Sequence, residues 1–282
     1  MTNSRLHSSA ILLAILVFLL IASGALLTSD IRPLPGTAPA AAPGTPIADA
    51  VQIEEVHRIL AAVVAVLAVS LAIIGSPETR LPAWIGAGLV VVDGLIGFQS
   101  GEGRMLSAFT GFLHALLAPL VFAAVASVIL FTSTTWADPA VPAKDVWAPL
   151  NNLAVIVPVY VIFQIALGVA FRHNAIGVFW HILNAMLTLM LILVFGICVL
   201  RQYPEHPTLR PAAVGLLVVT GAQVLLGFAA FLVLLIVAAN NMALIVVSVL
   251  HVVTGSLTLA AAVALSLQFR RAAQTGASVT GH

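Results

Sequence analysis

Apolar residues along this chain gather into long runs separated by short polar stretches. Eight runs stand out: Ala10 to Thr28, Ile53 to Ile74, Pro82 to Phe98, Leu106 to Phe131, Leu150 to Phe171, Val178 to Leu200, Pro211 to Ala239 and Met242 to Phe269. Each reaches or approaches the roughly 20 apolar residues a helix needs to cross the hydrocarbon of a bilayer. Inside lipid every backbone polar group must be paired within its own segment, so runs of this length predict helices. The expected fold is an all-α integral membrane protein with eight transmembrane helices. Arg5 before the first run and the small residues Ala22-Ser23-Gly24-Ala25 near its end would also suit a cleaved signal peptide, but the run is longer than a signal's apolar core.

The polar breaks divide the chain. Residues 29–52 are rich in Pro, Ala and Gly and read as an irregular loop. Residues 132–147, with Asp138-Pro139 and Pro142, read as a linker between an N-terminal four-helix half (1–131) and a C-terminal one (148–282). The other connections are short, which makes sequential helices antiparallel neighbours. An internal pattern supports the division. Asp93 and Gly97 in the third run, Gln164 and Gly168 in the fifth, and Gln223 and Gly227 in the seventh each place a polar residue four before a glycine; the first run keeps Gly24 alone. Residues at i and i+4 share a helix face, and glycine there lets a neighbour approach closely. The even runs carry histidines instead: His57, His114, His181 and His251. The spacing from Gly24 to His57 exceeds that from Gly168 to His181 by about the length of the Pro/Ala-rich loop, as expected for two repeated four-helix bundles with one insertion.

Composition strengthens the membrane reading. Of 282 residues, 61% are hydrophobic and 7% charged, against the roughly 25% charged of a soluble domain. A formal net charge of +1 offers no basic patch for nucleic acid. Cys198 is the only cysteine, so the chain can form no internal disulfide and no thiolate cluster. Arg5, Arg80, Lys144, Arg201, Arg210, Arg270 and Arg271 fall on the side of the termini, and Arg32, Arg58, Arg104 and Arg172 on the opposite side. By the positive-inside rule both termini are cytoplasmic in a multi-pass protein of the cell's inner membrane, with lipid around it.

The candidate chemistry lies in the four histidines. A single histidine in an apolar helix is explained by a hydrogen bond to a neighbour; one on each even helix is harder to explain that way. All four helices enter from the same side and carry their histidines within about three turns of the start, which pairs His57 with His114 and His181 with His251. Neutral imidazole ligates iron, and two imidazoles on opposite faces of a flat macrocycle suit a heme. Zinc and copper sites want three or four ligands together. Phe109, Phe112, Phe179 and Trp180 are close in sequence to the histidines and offer an apolar wall. Glu54, one turn before His57, is a candidate reaction group; it is equally placed to pair with Arg58 at i+4. Asp93, the one carboxylate deep in a run, can orient His114 by a hydrogen bond or serve helix packing.

The helix-two segment Ile53-Glu54-Glu55-Val56-His57-Arg58, with His114, His181 and His251 following in order, resembles the heme A synthase family of eight-helix, two-half membrane proteins over essentially the whole chain. The resemblance implies an oxidoreductase that converts the methyl substituent of heme O into the formyl of heme A for terminal oxidases. It further implies heme O supplied by a heme O synthase, an electron partner, a substrate site at Glu54, His57 and His114, and a heme b site at His181 and His251. Three features depart from the family: the first loop lacks the cysteine pair many members carry, the polar, arginine-bearing stretch after helix one is replaced by Leu26-Leu27-Thr28-Ser29-Asp30, and Asp93 stands where a glutamine is expected. The competing functions are a non-catalytic diheme b-type electron-transfer protein and a two-repeat transporter. Halves with an even helix count share one orientation, unlike inverted transporter repeats.

Overall fold

The computed structural model describes residues 4–30, 50–98, 108–137, 148–236 and 241–280. Among them the elements are α1 (Ser4–Asp30), α2 (Ala50–Ile74), α3 (Pro77–Phe98), α4 (Ala108–Thr132), the single turn α5 (Thr134–Ala137), α6 (Ala148–Arg172), α7 (Val178–Gln202), α8 (Leu209–Ile236) and α9 (Met242–Thr280), with no strand. All but α5 are long and apolar enough to cross a membrane. The chain is a multi-pass, all-helical membrane protein. The loop expected at 29–52 lies outside the described residues over 31–49, as does the linker over 138–147.

Helix ends depart from the apolar runs in a consistent way. α1 begins at Ser4 and α9 runs to Thr280, well past the expected limits of Ala10 and Phe269. Hydropathy marks where lipid ends, whereas a helix continues as long as its backbone bonds and packing allow. In α9 the Arg270-Arg271 pair ends the apolar run, but Phe269, Ala272 and Ala273 remain buried against neighbours. The expected linker start also shifts: α4 holds through Thr132, and α5 follows after one residue.

Four helices close a ring on each side of the molecule. α1 packs on α2 and α4, and α3 joins α2 to α4; α6 packs on α7 and α9, and α8 joins α7 to α9. α9 lies against both α1 and α4, and α4 also touches α6, so these helices form the seam between the rings. One core gathers Leu13, Val17, Val64 and Phe122; the other gathers Leu150, Phe195, Leu216 and Phe269. Val66, Leu81, Met186 and Leu225 are about two-thirds or more exposed. Water would not tolerate so many bare aliphatic side chains, and lipid tails meet them at no cost. At the seam's terminal end, His7 Nδ1 lies 2.8 Å from Thr132 Oγ1, and the Arg271 guanidinium stands 4.5 Å over the Trp136 ring.

Candidate functional site

The four histidines lie toward the end of the bundle opposite the termini, and they come in two pairs. His57 of α2 faces His114 of α4 with ring centres 6.3 Å apart and planes at 75°. His181 of α7 faces His251 of α9 at the same 6.3 Å and 87°. The partners are the ones expected from depth and half. Two imidazoles bound to one iron from opposite faces, with bonds of about 2 Å, place their ring centres about 6 Å apart. Among the described residues no group of three or more His, Cys, Asp or Glu side chains converges on one ion position. The donors come in twos.

Each ring is seated on a glycine of the preceding helix. A Cβ at Gly24 would stand 3.1 Å from Cε1 of His57, and one at Gly97 3.1 Å from Cε1 of His114. In the other ring of helices the approach is closer: 2.8 Å from Gly168 to His181 and 2.8 Å from Gly227 to His251. The glycines of the odd apolar runs thus mark where the Cε1 edge of an imidazole comes close to a neighbouring backbone, an approach that a Cβ would crowd.

Polar groups beside those glycines hold the rings. Ser23 Oγ lies 2.7 Å from His57 Nδ1. Asp93 Oδ1 lies 2.7 Å from His114 Nδ1, whose N–H direction is met by the Asp93 carbonyl at 3.3 Å. Gln164 Nε2 lies 3.0 Å from His181 Nδ1 and donates to the His181 carbonyl, while Asn184 donates to Gln164 Oε1 at 2.8 Å. At His57 and His114 an Nδ1–H facing oxygen leaves Nε2 for a ligand. At His181 the Gln164 amide N–H donates to Nδ1 and also stands 3.4 Å from Nε2, which keeps the ring proton on Nε2 until that amide turns away. His251 differs: Gln223 Nε2 stands 3.3 Å from its Nε2, and its buried Nδ1 has no partner among the described residues. Ligation through that Nε2 requires the Gln223 amide nitrogen to withdraw and an acceptor to take the Nδ1–H, a part that the buried and unpartnered Gln223 Oε1 could fill.

The remaining expected site residues lie at the margin. Glu54 Oε1 accepts a 2.6 Å hydrogen bond from Arg58 Nη2, and both side chains are nearly half exposed. Phe109, Phe179 and Trp180 are 68%, 63% and 57% exposed. Ser23 escaped the sequence pattern because it precedes its glycine by one residue, not four. Asn184 escaped because its partner is an amide on another helix; its spacing of one turn from Thr188, to which it also donates, is the only local sign.

A fifth histidine belongs to the same region. α6 ends in a Schellman motif: Ala175 N donates to Ala170 O, Asn174 N donates to Phe171 O, and Asn174 takes φ 57°. Asparagine tolerates this left-handed conformation better than most residues. The motif turns His173 onto α4, where a Cβ at Gly111 would lie 2.7 Å from its Cε1. Burial, then the neighbouring Arg172 guanidinium and His114, hold the His173 imidazole below its ordinary pKa. His206, by contrast, is buried at the start of α8, where its Nδ1 accepts from the Leu209 N–H at 3.3 Å. No family model and no curated protein matches the chain.

Proposed function

We propose that the chain binds two hemes, one between His57 and His114 and one between His181 and His251, and acts as a heme A synthase-like oxidoreductase. The observation that carries this reading is the pair of facing imidazoles, repeated at one spacing and seated on glycine four times. Heme O would be the substrate at the first pair and heme b the resident group at the second. Oxidising a methyl carbon to a formyl adds one oxygen atom, from water or dioxygen, and removes four electrons and their protons; the bound iron would supply the redox chemistry and the electron partner would take up the electrons. The chain's own side chains do the positioning. His57 and His114 grip from two helices, Ser23 and Asp93 fix their Nδ1 atoms, and Glu54, one turn before His57, takes up a proton as the carbon is oxidised. Supply by a heme O synthase, an electron partner and a cytoplasmic location for both termini belong to the same proposal.

A second reading, a diheme b-type electron carrier that transforms neither heme, is favoured by one observation. Glu54 is already paired with Arg58 and half exposed, which a carrier accommodates without further assumption. The optical spectrum of the purified full chain and identification of its extracted hemes separate the readings. From cells that supply heme O, heme A or its alcohol precursor is expected; protoheme alone from such cells establishes the carrier, and absence of heme overturns both. In cells supplying heme O, Glu54→Ala is expected to keep heme content and lower conversion by about 10²-fold or more. Conversion near the wild-type rate would leave Glu54 as a surface ion-pair partner.

A further inference from the structure

We propose that Arg172 and His173, which close α6 in one ring of helices, are positioning residues for the His57/His114 pair in the other; as a statement about ligands this rests on the heme reading above. The contacts run in opposite directions from adjacent residues. Arg172 Nε and Nη2 donate to Thr28 Oγ1 at 3.1 and 2.8 Å, and Nη2 also donates to the Ala25 carbonyl. Thr28 Oγ1 in turn donates to the Gly24 carbonyl at 3.0 Å. The guanidinium therefore grips the last turns of α1 at the residues that follow Ser23 and Gly24, the seat of His57. A cation at a helix C-terminus also meets the negative end of the helix dipole. His173 lies against Gly111, one turn before His114 on α4. One dipeptide thus touches both helices that set the spacing of the first pair: the helix that seats His57 and the helix that carries His114.

The grip is aimed by backbone. The Schellman hydrogen bonds and the left-handed Asn174 fix the directions in which the Arg172 and His173 side chains leave α6. Two turns and one turn earlier on the same helix, Gln164 and Gly168 hold and seat His181. α6 is then a rod with the second pair's seat along its length and the first pair's clamp at its end. Thr28 lies four residues past Gly24, as Arg172 lies four past Gly168, so the clamp joins like positions of the two rings.

The test uses the full-length protein and hemin. Titration of the heme-free protein should show two sites, assigned by their separate loss in His57→Ala and His181→Ala. Arg172→Gln is expected to weaken hemin at the first site about 10-fold or more and to alter its low-spin ferric electron paramagnetic resonance signal, leaving the second site's signal in place. His173→Ala should act in the same direction, and Arg172→Lys, which keeps charge but loses the fork, should fall between. An Arg172→Gln protein with both sites unchanged, or both weakened equally, overturns the proposal. Wild-type protein that takes up no hemin overturns the heme reading instead. The clamp is then judged on the heme-free chain by thermal unfolding of Arg172→Gln, Thr28→Val and the double variant. Non-additive shifts in Tm support it, and additive shifts sink it.

Discussion

The two histidine pairs share one spacing and differ in what surrounds them. His57 and His114 are held by a hydroxyl and a carboxylate, with glycine seats at 3.1 Å; His181 and His251 are attended by two glutamine amides, with seats at 2.8 Å. A carboxylate on Nδ1 makes an imidazole a stronger donor through Nε2, whereas an amide leaves it closer to neutral behaviour. The same scaffold therefore presents one imidazole, His114, beside a carboxylate in one ring of helices, and two imidazoles beside neutral amides in the other. If one pair changes its heme and the other only keeps it, the difference falls where a division of labour would put it.

Replacing the rings themselves tests that comparison most severely. His114→Ala should abolish heme at the first pair and keep it at the second, and His251→Ala should do the reverse; heme per chain, measured by pyridine hemochrome, should halve in each. Loss of both hemes from either variant would show that the pairs are not independent sites. Asp93→Asn comes next. It removes the carboxylate while keeping a hydrogen-bonding group, and should lower hemin affinity at the first site by about 10- to 100-fold. The midpoint potential of that site should rise toward that of the second, and an unchanged potential would erase the electronic contrast.

The glycine seats offer a finer test. Gly168→Ala and Gly227→Ala force a Cβ to 2.8 Å from a ring, and overpacking of this kind costs about 1–3 kcal/mol. Gly24→Ala and Gly97→Ala meet their rings at 3.1 Å and should cost less, as read from thermal unfolding of the heme-free chain. Equal losses in all four would mean the two rings are equally tight. The smallest effect is expected at Arg58→Ala, because exposed ion pairs contribute about 0.2–1 kcal/mol. A larger drop in Tm would give the Glu54–Arg58 pair a structural part that its exposure does not suggest.

Much of this arrangement was legible in the residues. Asp93, Gln164 and Gln223 announced themselves by standing four before a glycine, because that spacing puts both on one helix face. The histidines paired by their common depth together with the half of the chain each belongs to. The contact of Ser23 was not legible, since a serine next to its glycine looks like any small membrane-helix residue. Arg172 could be read as a charge at a helix end, but its grip on α1 depends on how the two rings meet, which no local pattern encodes. Asn174, with its taste for left-handed backbone, was the overlooked hint that α6 ends in a fixed direction. The ends of α1 and α9 went astray because an apolar run reports contact with lipid and not the reach of a helix.

The glycine seats also bear on rotational freedom. An imidazole pressed against a bare backbone and bonded at Nδ1 cannot spin about its Cβ–Cγ bond. Immobilising a side chain on binding costs about 0.5–1.5 kcal/mol of entropy. Here His57, His114 and His181 meet that cost when the helices pack, before any ligand arrives. These three rings are fixed by the packing of the helices themselves, so the helices should stay assembled whether or not a group is bound between them.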